Sequence, residues 1–401
     1  MVYPLGMIGV GIGLAYLAAF AAGGLLDRLG FPLPSSAGRI SRIDGLRGLL
    51  ALSVMMHHFV IWMQATRLGG TWERPTILFL ENLGGGSVSI FFMITGFLFH
   101  RNTLEGFHIS RIAALWVGRF FRLTPLVAAS VVATGLIILW TQEYSIRPET
   151  VFTPLLTWVA ALGQPPLLGH ADSGRIDAYV LWSLKYEWAF YLFGVPLMAI
   201  AYDLLRGKAP TAALPLALVI GSLAATRFVA LDWLAFPPLF AMGMLASEAA
   251  KLDEARIWSS SRGGMLTATI CLLAALACAP KPYGTPWDFL LGLFFASVAC
   301  GNDIFGLLRR RALLALGECS YGIYLFHGNV LFVLFYFGAP SLAALDTASL
   351  PLLLPLVAII VVAVTATIFV TIEKPGSAYG RAFVARFSSA PPAPSEDKVV
   401  G

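Results

Sequence analysis

Residues 350–373 read LPLLLPLVAIIVVAVTATIFVTIE, an apolar run whose first charge is Glu373. A hydrocarbon core of ~30 Å takes ~20 apolar residues to cross as a helix, whereas a barrel strand needs only ~10. Backbone polar groups in lipid must be satisfied within the segment, so a run of this length reads as a membrane-spanning helix. Comparable runs lie near 5–26, 46–65, 86–101, 125–141, 180–202, 209–226, 228–249, 264–280, 284–300 and 312–336, which makes eleven expected crossings. A further stretch, 151–168, is interrupted by Pro154, Pro165 and Pro166 and reads as a re-entrant or interfacial helix.

Composition agrees with lipid as the solvent. The chain is 58% hydrophobic and 12% charged, with mean hydropathy +0.78, against ~25% charge in a soluble domain. The expected fold is all-α, a polytopic membrane helix bundle of about eleven transmembrane spans. Residues 1–30 form an extra N-terminal anchor with no basic residue before Arg28, unlike a cleaved signal, and 40–376 form the membrane domain. The small, Pro-rich tail 387–401 reads as disordered. Cys271, Cys278, Cys300 and Cys319 form no CxxC pair, so no metal site is expected.

Basic residues set the expected orientation. Arg28, Arg39, Arg42 and Arg47 follow the first run, Arg101, Arg111, Arg119 and Arg122 the third, and every second connection continues the excess. The positive-inside rule places these in the cytoplasm, with the N-terminus outside and the C-terminus inside a bacterial inner membrane. The net charge of +5 is then a record of topology and implies no nucleic-acid partner.

The sharpest chemical signal is Arg42-Ile43-Asp44-Gly45-Leu46-Arg47-Gly48 running into the helix that holds His57 and His58. Charge at the mouth of a span costs little, while an imidazole ten residues inside is expensive and marks function. Arg47 and His58 are eleven residues apart, close to three turns, so they share a face at roughly 16 Å; His57 points ~100° away. Histidine suits general-base work near neutral pH. The bland alternative is an imidazole that only knits helices together. Arg119 and Arg122, three apart, share a face suited to phosphates. Ser320, Tyr324 and His327 fall at i, i+4 and i+7, a stripe read chiefly as helix packing.

These motifs resemble those of the acyltransferase-3 family of integral membrane acyltransferases. The opening Asp44-Gly45-Leu46-Arg47-Gly48 with His58, the Phe91-Phe92 to Leu98 helix and Arg119-x-x-Arg122-x-x-Pro125 appear in order. Trp182-Ser183-Leu184 with Glu187, Phe190 and Tyr191, then Gly317 to His327, then Glu373-Lys374-Pro375 complete the series. Thr95 stands where Ser is usual, and Gly328-Asn329 where Trp-Pro is common. The resemblance implies a ten-span core and transfer of an acyl group, usually acetyl, from acyl-CoA to a cell-envelope carbohydrate or glycolipid. In that reading His58, Arg47 and Glu187 are catalytic, and Arg47, Arg119 and Arg122 bind the acyl-CoA co-substrate. No permanently bound cofactor is expected. His58 acts either as base or as acyl carrier, and Glu187 either orients an imidazole or holds a basic partner. A polytopic transporter of a small anionic substrate is the rival reading, but the two halves show no matching pair of broken helices.

Overall fold

A computed structural model describes residues 4–33, 40–67, 71–141, 151–226, 228–229, 231–283 and 286–387. The tail 388–401 lies outside the described residues. Among the described residues all regular structure is helical, apart from one isolated bridge between Leu167 and His170.

In chain order the helices are α1 (Leu5–Arg28), α2 (Ser41–Arg67), α3 (Leu78–Leu104), α4 (Ile109–Thr141), α5 (Phe152–Val159) and α6 (Trp182–Leu205). They continue as α7 (Ala213–Ala225), α8 (Pro237–Ala249), α9 (Asp253–Ser260), α10 (Arg262–Cys278) and α11 (Trp287–Cys300). The series closes with α12 (Arg311–Glu318), α13 (Ser320–Phe337) and α14 (Leu350–Arg386). Each of the eleven expected runs thus contains a helix among its described residues, but not each is a full crossing. Seven described helices are long and apolar enough to span, or eight if α9 and α10, bent by 81°, count as one. At ~1.5 Å per residue the 13 residues of α7 and of α8 reach only ~20 Å. The run expected at 312–336 is broken at Cys319 into α12 and α13. Residues 151–168 contain only the eight-residue α5, because Pro165 and Pro166 cannot continue a helix.

Burial ranks the helices. In the apolar window of α2, 83% of the residues are buried, against 78% for α3, 72% for α13 and 28% for α1. The first three therefore form the interior, and α1, α7 and α10 turn Leu17, Ile220 and Leu273 outward. Such exposed apolar belts are what a helix bundle offers to lipid. Close approach between α2 and α12 depends on two glycines: a Cβ on Gly48 would lie 2.9 Å from the Gly317 nitrogen. The N-terminal α1 packs on α12 and α14. It is tied there by Tyr16 to Ser53 of α2 at 2.5 Å and by Asp27 to Arg311 at 2.7 Å.

Two π-helical turns interrupt long helices, Phe190–Gly194 in α6 and Phe369–Glu373 in α14. Such turns rotate the face of a helix and recur at functional sites. Both deliver side chains, Tyr191 and Glu373, into the cavities described next.

Candidate active site

The basic end of the bundle opens into a cavity of about 1180 Å³ between α2, α3, α4, α12 and α14. Arg47, Arg111, Arg119 and Arg122 line it, with Lys374 and Arg381 from α14. A volume above the ~300–1,000 Å³ of ordinary ligand sites has room for a nucleotide-sized molecule. Arg101 turns away and pairs with Glu105 at 3.1 Å on the surface, and Arg42 caps the end of α11 through the Val298 and Ala299 carbonyls at 2.6 and 2.7 Å.

A narrower channel of about 100 Å³ shares Arg47, Arg119 and Arg122 with that cavity and runs deeper. Its walls are largely apolar or aromatic, including Phe91, Phe92 and Thr95, and it reaches Ser183 and Tyr324. Thr95 turns its hydroxyl back onto the Phe91 carbonyl at 3.1 Å, so its hydrogen is spent within its own helix. The hydroxyls of Ser183 and Tyr324 are 2.7 Å apart, which joins α6 to α13 at the channel's depth.

Arg47 is 3.8 Å from Asp44 one turn back, and Arg122, Glu318 and Glu373 also act on it electrostatically. The Arg119 guanidinium lies over the Phe99 ring at 4.8 Å and the Tyr191 ring at 5.6 Å. A cation lying against two ring faces is held in place by ring quadrupoles without being neutralised. Glu187 accepts a hydrogen bond from the Tyr191 hydroxyl one turn on. Of the two partners considered from sequence, the basic one is close at hand, since Glu187 acts electrostatically on Arg119.

The imidazole of His58 meets a different partner. His58 Nδ1 and His327 Nε2 are 2.9 Å apart, and the rings stack with centroids at 4.9 Å. His327 Nδ1 lies 2.9 Å from the Ile323 carbonyl, which accepts only, so Nδ1 carries the hydrogen. His327 Nε2 is therefore the lone-pair nitrogen and accepts from His58 Nδ1–H. His58 also bonds to the backbone of Val54, one turn back. His58 is left with its lone pair on Nε2, the arrangement of a general base. His57 is spent elsewhere: its Nδ1 donates to the Leu80 carbonyl at 2.8 Å, and its ring fills the space beside Gly84.

The pair sits where sequence placed His58, about three turns in from Arg47, but the role of His327 went unread. The Ser320, Tyr324 and His327 stripe was visible as a pattern. Its use depends on α13 lying against α2, a contact between residues 269 apart. Tyr324 stands one turn from His327, with ring centroids 6.3 Å apart, and so links the channel to the histidine pair. Gly328, next in the chain, accepts the Asp177 backbone so closely that any Cβ would collide with it. This is why a bulky residue there is incompatible with the course of the segment before α6. Among the described residues no three His, Cys, Asp or Glu side chains are grouped to hold a metal ion.

Comparison with known proteins gives the family. "Acyltransferase MdmB" of Streptomyces mycarofaciens is 24% identical over 75% of this chain and 81% of its own length. "Nodulation protein 10" of Rhizobium leguminosarum bv. viciae is 26% identical over 39% of this chain and 44% of its own. No solved structure matches significantly. Residues 40–372, from the start of α2 to the second π turn, match the acyltransferase domain along its course, and the chain belongs to the acyltransferase-3 family of membrane acyltransferases.

Proposed function

We propose that this membrane acyltransferase moves an acyl group, acetyl in the simplest case, from cytosolic acyl-CoA to a hydroxyl of an extracytoplasmic glycan or glycolipid. The observation that carries the reading is the His58–His327 pair, with His58 Nε2 left basic, one turn of α13 beyond Tyr324, which lines the channel that shares its arginines with the wide cavity. Arg47, Arg119 and Arg122 take the phosphates of coenzyme A in the wide cavity, and Lys374 and Arg381 extend that surface. The thioester end follows the narrow, largely apolar channel toward Ser183 and Tyr324. Glu187 holds Tyr191 and Arg119 in register for the donor.

His58 Nε2 removes the acceptor hydroxyl proton as the oxygen attacks the thioester carbonyl carbon. The tetrahedral adduct collapses with cleavage of the carbon–sulfur bond, and the imidazolium returns its proton to the departing thiolate. The products are the O-acyl ester and free coenzyme A. His327 positions the imidazole and fixes its tautomer, as the third member of a triad does for a catalytic histidine.

Purified protein incubated with radiolabelled acetyl-CoA and crude envelope glycan tests this reading. Label in the glycan, lost in His58→Ala, supports it; label that never leaves acetyl-CoA with any envelope fraction rejects it.

A further inference from the structure

At the end of α2 opposite the basic cavity, one turn beyond His58, stands Trp62, which is 4% exposed. Four residues of helix place it ~6 Å further along the same face. Trp72, from the connection to α3, meets it edge to face at 5.1 Å. The Arg175 guanidinium lies against both rings, with its central carbon 5.0 Å from the Trp62 centroid and 5.2 Å from that of Trp72. Arg175 belongs to residues 160–181, the segment that crosses this end of the molecule before α6.

Three polar atoms in this place are buried and lack a hydrogen-bond partner: Trp62 Nε1, Arg175 Nε and Asp177 Oδ2. Each such group costs ~1–3 kcal/mol, and native structures hold few of them. Two are donors and one is a carboxyl oxygen, and the Trp62 and Trp72 rings lie against the Arg175 guanidinium. The segment that brings Arg175 and Asp177 here is itself strained, since Ala178 and Tyr179 have φ of 59° and 56°, in the left-handed region. Asp177 abuts Gly328, the neighbour of His327, so the cluster adjoins the histidine pair on two sides, through α2 and through α13.

From this arrangement we infer that the slot where the Arg175 guanidinium rests against both Trp62 and Trp72 is the acceptor subsite, that it takes a sugar ring, and that residues 160–181 are its lid. The guanidinium of Arg175, planar and close to a ring in size, occupies the slot in the closed form. A pyranose offers an apolar face to an indole, a hydroxyl oxygen to Trp62 Nε1–H and a second hydroxyl to the Asp177 carboxyl. It thereby satisfies two of the atoms that the closed form leaves unpaired, and the displaced Arg175 guanidinium regains water. Binding displaces Arg175 and brings a ring hydroxyl to the outer side of His58. The inference rests on the acyl-transfer reading for its acceptor, but sugar binding is measurable without any donor.

The test uses the full chain in lipid nanodiscs, with chitotetraose and maltotetraose as probes and saturation-transfer difference NMR as the readout. Expected is saturation of the ring protons of at least one sugar, reduced at least tenfold in Trp72→Ala and enhanced in Arg175→Ala, where the stand-in is gone. His58→Gln retains the signal, which separates binding from chemistry. Trp72 and Arg175 are only partly buried, so these variants do not empty the core. Equal signals in wild type and Trp72→Ala, or no signal from either sugar even in Arg175→Ala, overturn the inference. Acetyl-CoA binding is followed in the same samples: a donor that fails to bind while sugar still binds faults the acyl-transfer reading and leaves the slot standing.

Discussion

Replacing His327 by Phe keeps an aromatic ring in α13 and removes the nitrogen that accepts from His58 Nδ1 at 2.9 Å. The imidazole then loses the partner that opposes rotation and tautomer exchange, and retains only its backbone bond to Val54. With the Val54 bond kept, losing one hydrogen bond costs ~0.5–1.5 kcal/mol net. If that cost falls on the reactive arrangement, at ~1.4 kcal/mol per tenfold in rate, turnover drops roughly 2- to 12-fold. The donor cavity is remote from His327, so half-saturation by acetyl-CoA stays within about twofold. His58→Ala, which removes the base, costs at least ~100-fold. The double variant falls no further than His58→Ala alone, because residues acting as a unit are not additive. The assay is initial-rate transfer of labelled acetyl to envelope glycan at saturating donor, normalised to protein in the membrane. A well-accumulated His327→Phe protein with wild-type turnover refutes the positioning role, and a double variant far below His58→Ala refutes the pairing.

Arg119→Ala and Arg122→Ala should raise the acetyl-CoA concentration for half-saturation with little change in turnover, because a phosphate contact acts alike on ground and transition states; unchanged donor dependence at low salt counts against the cluster as donor site. Arg119→Lys should recover only part of the loss, since lysine lacks the flat fork that lies against the Phe99 and Tyr191 rings, and full recovery would show that charge alone suffices. A reporter active only outside the cytoplasm should be silent when fused after Arg122, Lys208 or Arg311 and active after Arg175, and the reverse pattern inverts the orientation. Burial pushes the Asp177 carboxyl up to about 8, above the ~3.9 of an unfolded chain. The native state therefore holds a proton that the unfolded state has lost, and stability falls as pH rises between these values, by about 2–3 kcal/mol from pH 6 to 8. Thermal unfolding should show a loss over that interval that Asp177→Asn lacks, and equal losses in both proteins would show that Asp177 is ionised throughout.

Much of this protein was legible in one dimension because lipid imposes a length and a polarity on each crossing. A run such as 350–373 has no soluble use, and an imidazole inside a span must answer to some partner or purpose. Helical period alone put Arg47 and His58 on one face and turned His57 aside, where the Leu80 carbonyl holds it. What period does not carry is which helices lie side by side. The short reach of α7 and α8, hidden in hydropathy windows that ran across their ends, appears only when backbone geometry fixes where each helix stops. His327 became the partner of His58 because α13 packs on α2, and Glu187 turned to Tyr191 because both lie one turn apart on α6 beside Arg119. Arg175, one basic residue in a loop by sequence, lies against two tryptophans because the segment before α6 folds over the end of α2. Local periodicity and the cost of burying polar groups are written in the chain; the pairing of distant side chains is decided by helix packing, which no local pattern encodes.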